Sequence, residues 1–316
     1  MQAYDIIGDV HGCADKLEGL LRKLGFEKQA DAYRHPERQA IFVGDLIDRG
    51  PQQVETLDLV HRMVEAGSAQ VVMGNHEFNA ISYATRNPNV PDEFLRPHNA
   101  KNSRQHQEFL EQVPNPHRWI EWFKTMPLYL DLGGLRVVHA CWNAGAMRIA
   151  GGWVTPGAPM MTEFLVLANQ RGSDEYKAIE VLLKGPELNL AEKDQCGFMD
   201  KDGNIRSDAR IRWWDVSART LDKVAEIPPG SQTQVGDPYP ELPAVECLDG
   251  VAFEYRDETP VFYGHYWRSW APERGRDWTT NTACLDFSAV KGGPLVAYRW
   301  EGEKEISRQK FVKYQG

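Results

Sequence analysis

The chain has 316 residues with 45 acidic and 36 basic side chains, a formal net charge of -9. Its 42% hydrophobic and 26% charged residues are ordinary for a globular chain, and its size permits one elaborated domain or two small ones. The acidic balance argues against the clustered Lys and Arg of a nucleic-acid backbone binder, while a phosphate-bearing substrate stays open because bound cations reverse the sign of an acidic pocket. No apolar run approaches about 18 residues, and MQAYDIIGD has neither a basic flank nor an apolar core of leader length. Five cysteines (Cys13, Cys141, Cys196, Cys247, Cys284) lie scattered without CxxC spacing, which favours a reducing compartment. The expectation is a cytoplasmic protein with no membrane or nucleic-acid partner.

Tyr4 to Gly8 reads as a short buried strand, and Leu17 to Leu24 as the apolar side of the next helix. Residues 39–45 form a second strand, since Ile41, Phe42 and Val43 make the continuous apolar run of a buried parallel strand. Pro51 opens a helix over 52–66, and 69–75 is a third strand. This alternation predicts an α/β sheet with right-handed crossovers. Five prolines (Pro88, Pro91, Pro97, Pro114, Pro116) interrupt the following polar stretch, so 85–125 reads as an inserted helical region. Residues 127–139 form a hairpin turning at Gly133-Gly134. Helices are expected at 157–169 and 174–184, within a cap or loop region over 150–245. Strands return at 249–254, 260–264, 282–287 and 294–300, as antiparallel additions. The whole is predicted to be one sheet-centred domain over 1–316.

The chemistry lies in five blocks: GDVHG (8–12), GDLIDRG (44–50), GNHE (74–77), VVHA (137–140) and YGH (263–265). Each follows an apolar run, so its polar groups project from a strand end, where open α/β sheets place ligands. Asp9, His11, Asp45, Asn75, His76, His139 and His265 then form one cluster of carboxylate, imidazole and amide donors. That set suits Mn, Fe or Zn, and a carboxylate can bridge two such ions about 3.5–4 Å apart. A lone Gly-Asp is more often a turn, and a lone apolar-flanked His more often a satisfied core residue. Five strand-end segments with the same chemistry make the bland reading the weaker one.

GDVHG, GDLIDRG and GNHE resemble, in order, the signature blocks of the calcineurin-like metallophosphoesterases, most closely the phosphoprotein-phosphatase branch. The resemblance is firm over 1–80 and at the later histidines. It implies an α/β fold with a central two-sheet β-sandwich flanked by helices, and a dimetal site at the strand ends. By that resemblance Asp9 and His11 hold the first metal, Asp45 bridges, and Asn75, His139 and His265 complete the second; Mn is the leading ion. His76 resembles the general acid, oriented by Asp48, and Arg49 the phosphate clamp, with Asn75 also at the phosphate. Arg148 and Arg268 are candidates for a second phosphate-binding arginine, against exposed or structurally paired readings.

Two departures bear on substrate. The fourth block reads HACWNAG where animal-type protein phosphatases have His-Gly-Gly, and a bacterial branch cleaving dinucleoside tetraphosphates has a related block. The last block reads GHYW, so Trp267 cannot supply an extra ligand. Trp213, Trp214 and Trp267 could stack a base, although packing is the commoner work of paired tryptophans. The leading expectation is hydrolysis of phosphate monoesters by a dimetal-activated hydroxide, on a phosphorylated peptide or small phosphorylated metabolite. Dinucleoside polyphosphate hydrolysis is the alternative, and a phosphate- or nucleotide-binding module without turnover is the rival of another class.

Overall fold

The computed structural model describes residues 2–155, 157–200 and 203–316. They fall into two compact units, one running to Lys184 and resuming over Glu258–Gly316, the other Gly185–Asp257. The larger unit is built on two main sheets, beside a two-stranded ribbon of Glu27–Gln29 and Ala32–Arg34. In the first, the order is Phe311–Tyr314, Leu295–Trp300, Ala3–Ile7, Arg38–Phe42, Ala69–Val71. The last three run parallel, as their apolar runs predict, and Leu295–Trp300 pairs antiparallel with Ala3–Ile7. The second sheet orders Thr282–Cys284, Val261–Tyr263, Arg136–Val138, Tyr129–Asp131.

The predicted hairpin is the antiparallel pair Tyr129–Asp131 and Arg136–Val138, with Gly133 at φ 77. Val261–Tyr263, however, is parallel to both of its neighbours, not antiparallel as expected. The expected strand at 249–254 is instead a short 3-10 turn over Val251–Phe253. Ile6, Ile41, Val43 and Val72 pack with Val137, Phe262, Ala283 and Leu285 in one buried cluster, which makes the pair of sheets a sandwich. Each such side chain contributes roughly 1.5–3 kcal/mol by leaving water.

Helix Ala14–Leu24 buries Leu17, Leu20, Leu21 and Leu24, a stripe at helical spacing, and ends at Gly25 in the left-handed region. The helix expected at 52–66 spans Gln53–Glu65, and that at 174–184 spans Asp174–Lys184. The one expected at 157–169 starts later, at Thr162–Asn169. The stretch 85–125, expected as an inserted helical region, carries Ala100–Gln112, capped by the Asn99 side chain on the Asn102 N–H, and Pro116–Lys124 with its proline in the first turn. Helices Asn75–Ala84 and Ala144–Gly151 and strand Phe311–Tyr314 had no sequence expectation.

The smaller unit has a core of its own around Leu188, Leu190, Ile211, Leu221 and Val224, with a sheet of Ala225–Glu226, Asp208–Ile211 and Glu187–Asn189. Trp213 and Trp214 are buried, and Trp213 packs edge-on against Trp214 and Tyr255. Of the two readings weighed for this pair, the structure shows packing; neither ring offers an open face to a base. Among the described residues no helix is long and apolar enough to cross a membrane.

Candidate metal centre

Asp9 lies just beyond strand Ala3–Ile7, Asp45 just beyond Arg38–Phe42, and Asn75 and His76 open the helix that follows Ala69–Val71. From the second sheet, His139 follows Arg136–Val138 and His265 follows Val261–Tyr263. Both sheets thus deliver donors from the carboxyl ends of their strands, and Asp45 stands at the centre. Its Oδ2 is 3.5 Å from His11 Nε2, 3.4 Å from His139 Nε2 and 3.9 Å from His76 Nε2. Asn75 Oδ1 lies 3.1 Å from His139 Nε2 and 2.7 Å from His265 Nδ1.

Two groups of ligand atoms, each within 4.8 Å, are His11, Asp45 and His76, and Asp45, His139 and His265. They share Asp45, the carboxylate that the sequence reading sets between two ions. The first group contains His76, whereas the sequence reading put Asp9 there. Asp9 belongs to neither group; its Oδ2 accepts the His265 backbone N–H at 3.0 Å. Its Oδ1 and His11 Nε2 are buried without a hydrogen-bond partner. Donor atoms sealed from water and aimed at a shared space fit cations, since burying them unpaired is costly. The donor set suits a mid-series divalent pair.

The histidines are oriented from behind. Nδ1–H of His11 donates to Ile47 O at 2.9 Å and that of His139 to Val43 O at 2.7 Å, leaving each Nε2 for the centre. Burial pushes His11 down to about 3 despite the nearby Asp45 carboxylate. Burial also opposes charge on His139, but Asp45 overrides it and lifts the ring to about 10. For His76, the Asp45 and Asp48 carboxylates overcome burial and raise the ring above its ordinary value. Burial, then Asp286, holds Asp9 well above the usual carboxylate range.

Backbone strain is concentrated here. His11, Asp45, Asp48, Arg49, His265 and Trp267 all have left-handed φ, between 45° and 72°. Each costs on the order of 1–3 kcal/mol, which the surrounding contacts must offset. Two glycines allow close approach: a Cβ at Gly264 would meet Asp9 Oδ1 at 1.9 Å, and one at Gly74 would meet Asp45 Oδ1 at 2.2 Å.

His76 Nδ1–H donates to Asp48 Oδ2 at 2.5 Å, and Asp48 N–H is held by Gln53 Oε1 at 3.0 Å. Arg49 is exposed, with its guanidinium 4.1 Å from the Trp267 ring centroid. Arg148 is exposed in the last turn of Ala144–Gly151, with no hydrogen bond or ion pair to the ligands. Arg268 is only 6% exposed and its Nε lies 3.4 Å from Asp277 Oδ1, the paired reading of that arginine. His106 is buried beside Tyr83 and Phe109.

Sequence reasoning gave no role to Glu77 or Asp286. Glu77 is fully buried and accepts the N–H groups of Asp45 and Gly74 on Oε2 and of Leu46 and Ile47 on Oε1. Its place three residues after Gly74, at the start of a helix, was the available signal. Asp286, beyond Thr282–Cys284, accepts the Trp267 N–H at 2.7 Å.

A sandwich whose strand ends converge on two ligand clusters joined by one carboxylate defines a dinuclear metal-dependent hydrolase. The sequence profile of the calcineurin-like phosphoesterase family matches residues 4–155. Residues 4–155 thus carry a calcineurin-like metallophosphoesterase region, and both ligand groups draw on it. An asymmetrical bis(5'-nucleosyl)-tetraphosphatase from Oceanobacillus iheyensis is 36% identical over 137 residues, 43% of this chain and about half (54%) of that protein. A symmetrical bis(5'-nucleosyl)-tetraphosphatase from Vibrio cholerae is 28% identical over 309 residues, covering 96% of this chain and 97% of that one. A solved protein serine/threonine phosphatase from Saccharomyces cerevisiae superposes with a TM-score of 0.50 at 13% identity, covering 99% and 78%. That last likeness is one of fold alone.

Proposed function

We propose that this metal-dependent hydrolase cleaves the phosphate chain of a bis(5'-nucleosyl) tetraphosphate. The observation that carries the reading is its near end-to-end similarity to the symmetrical tetraphosphatase of Vibrio cholerae, which extends through 309 residues. The phosphomonoester reading led from sequence and now stands second. It is favoured by the DRG block, whose Asp48 meets His76 as an acid dyad needs.

In this account Asp9 and His11 would hold one divalent ion and Asn75, His139 and His265 the other, with Asp45 shared between them; manganese is the first choice, iron or zinc the alternatives. Bound there, the ions supply Lewis acidity and a nucleophile at neutral pH. Arg49 offers its planar fork to two oxygens of the reacting phosphate. His76, its Nδ1–H held by Asp48 Oδ2, gives its proton to the leaving oxygen. Glu77 and the two carbonyls behind His11 and His139 keep these groups in place without reorganisation.

The test is kcat/KM measured in parallel on diadenosine tetraphosphate, a phosphoserine and phosphothreonine peptide panel, and sugar phosphates, with Mn²⁺ present. A preference of at least about 100-fold for the dinucleotide is expected, equivalent to about 2.7 kcal/mol of transition-state discrimination. A phosphopeptide exceeding the dinucleotide would return the phosphomonoester reading to first place. Two bound ions with tight phosphate binding but no turnover on any substrate would favour the binding-module rival.

A further inference from the structure

Trp267 stands at the metal centre without being one of its ligands. Its ring lies 5.5 Å from that of His11, with planes at 23°. Two cations share it: the Arg49 guanidinium at 4.1 Å from a ring centroid and the Lys291 ammonium at 4.7 Å. One cation beside an indole is ordinary packing. Two like charges gathered on one indole repel, and a multiply charged anion spanning them turns that repulsion into attraction.

The arrangement is firmly mounted. Asp286, 1% exposed, accepts the Trp267 N–H on Oδ2 at 2.7 Å and the Ser288 N–H on Oδ1 at 2.9 Å. Ser288 Oγ donates to Arg268 O at 3.0 Å, and Ser288 O accepts the Lys291 N–H at 2.9 Å. From helix Ala14–Leu24, Lys16 Nζ donates to Ala289 O at 2.9 Å and Gly293 O at 2.8 Å, closing the turn that carries Lys291. One buried carboxylate therefore fixes both the tryptophan and the lysine-bearing turn. Trp267 and Ser288 are held in the left-handed region there, φ 52° and 58°.

We infer that Lys291 is a specificity-determining residue: held, like Arg49, on the Trp267 ring, it takes the phosphate next to the reacting one and so favours phosphate chains over monoesters. Trp267 is then the positioning residue for both cations rather than a surface for a base. The inference rests on phosphate hydrolysis at this same site, but not on a nucleotide, because the contact is to the chain of phosphates alone.

The test compares the dissociation constants of orthophosphate and of methylenediphosphonate, a non-hydrolysable two-phosphate analogue, by calorimetry on Mn²⁺-loaded protein of verified metal content. Lys291→Met should weaken the diphosphonate at least tenfold more than orthophosphate, and Lys291→Arg should restore most of that selectivity. Trp267→Leu should lose it and Trp267→Phe keep it. Equal weakening of the two anions in Lys291→Met, or no weakening of the diphosphonate, overturns the inference. If diadenosine tetraphosphate proves a poor substrate while the selectivity holds, the substrate proposal falls and this inference stands.

Discussion

Four backbone N–H groups converge on the two oxygens of Glu77, at 2.8–3.4 Å, and three of them belong to the turn that presents Asp45. Glu77→Gln keeps the shape but turns an NH2 group towards two of those donors. Each buried N–H left unsatisfied costs about 1–3 kcal/mol. The variant should unfold at a lower temperature and bind metal more weakly, as read by thermal unfolding and metal analysis; wild-type values in both would remove Glu77 from the support of the site. His76 answers to a different experiment. As the acid it should keep both ions when changed to Asn, and lose turnover by about 10²–10⁴-fold, most for poor leaving groups such as phosphoserine. An equal loss for good and poor leaving groups contradicts that role, and loss of an ion makes His76 a ligand, as its place beside His11 and Asp45 allows. The proposed ligands could be picked out of the sequence because each follows an apolar run. Glu77 and Asp286 were not, because a carboxylate that satisfies backbone donors leaves no periodicity and shows its partners only once the turns are folded. The burial of His106 is hidden for a related reason: the polar helix around it gives no sign of the aromatic rings that cover it.

Elements were legible where burial imposes a pattern. Strands buried on both faces, such as Arg38–Phe42, and amphipathic helices, such as Gln53–Glu65, lay close to their expected positions. The misreadings were short. VAF at 251–253 has strand-like residues but closes a 3-10 turn, since an apolar triplet carries no period. The direction of Val261–Tyr263 depends on a partner more than a hundred residues away, Arg136–Val138, and nothing local encodes it. Helix Ala144–Gly151 was hidden by its glycines, although Asn143 caps it by accepting the Ala146 N–H. The strand-to-loop junctions also set the metal geometry. Gly264→Ala would drive a Cβ into Asp9 Oδ1, 1.9 Å away. The carboxylate or the His265 turn must then move, and Val43 of the two-sheet core, its Cγ2 2.8 Å from that Cβ, must give as well; metal content should fall by a larger fraction than the circular dichroism signal. Full metal occupancy in that variant would show that the junction yields without cost to the ligands.

At the scale of the molecule, two sheets with a common core bring together donors separated by more than 250 positions, Asp9 and His265. No window of sequence contains that site; only the order of the blocks announced it. The smaller unit, Gly185–Asp257, was foreseen as part of a cap or loop region, and its own core was not, because its strands are two to four residues long. Substrate was the least legible property. The DRG and GNHE blocks pointed to monoesters, and likeness over nearly the whole chain points to dinucleotides. Both readings require the same centre. The most direct test of that centre is metal content and turnover measured on the same samples of wild type and Asp45→Asn, after chelation and after Mn²⁺ is restored. The account predicts two ions per wild-type chain, activity lost on verified removal and regained on reloading, and a substitution that releases both ions because Asp45 touches both. Turnover that persists after metal removal, or an Asp45→Asn protein that keeps two ions, would contradict it.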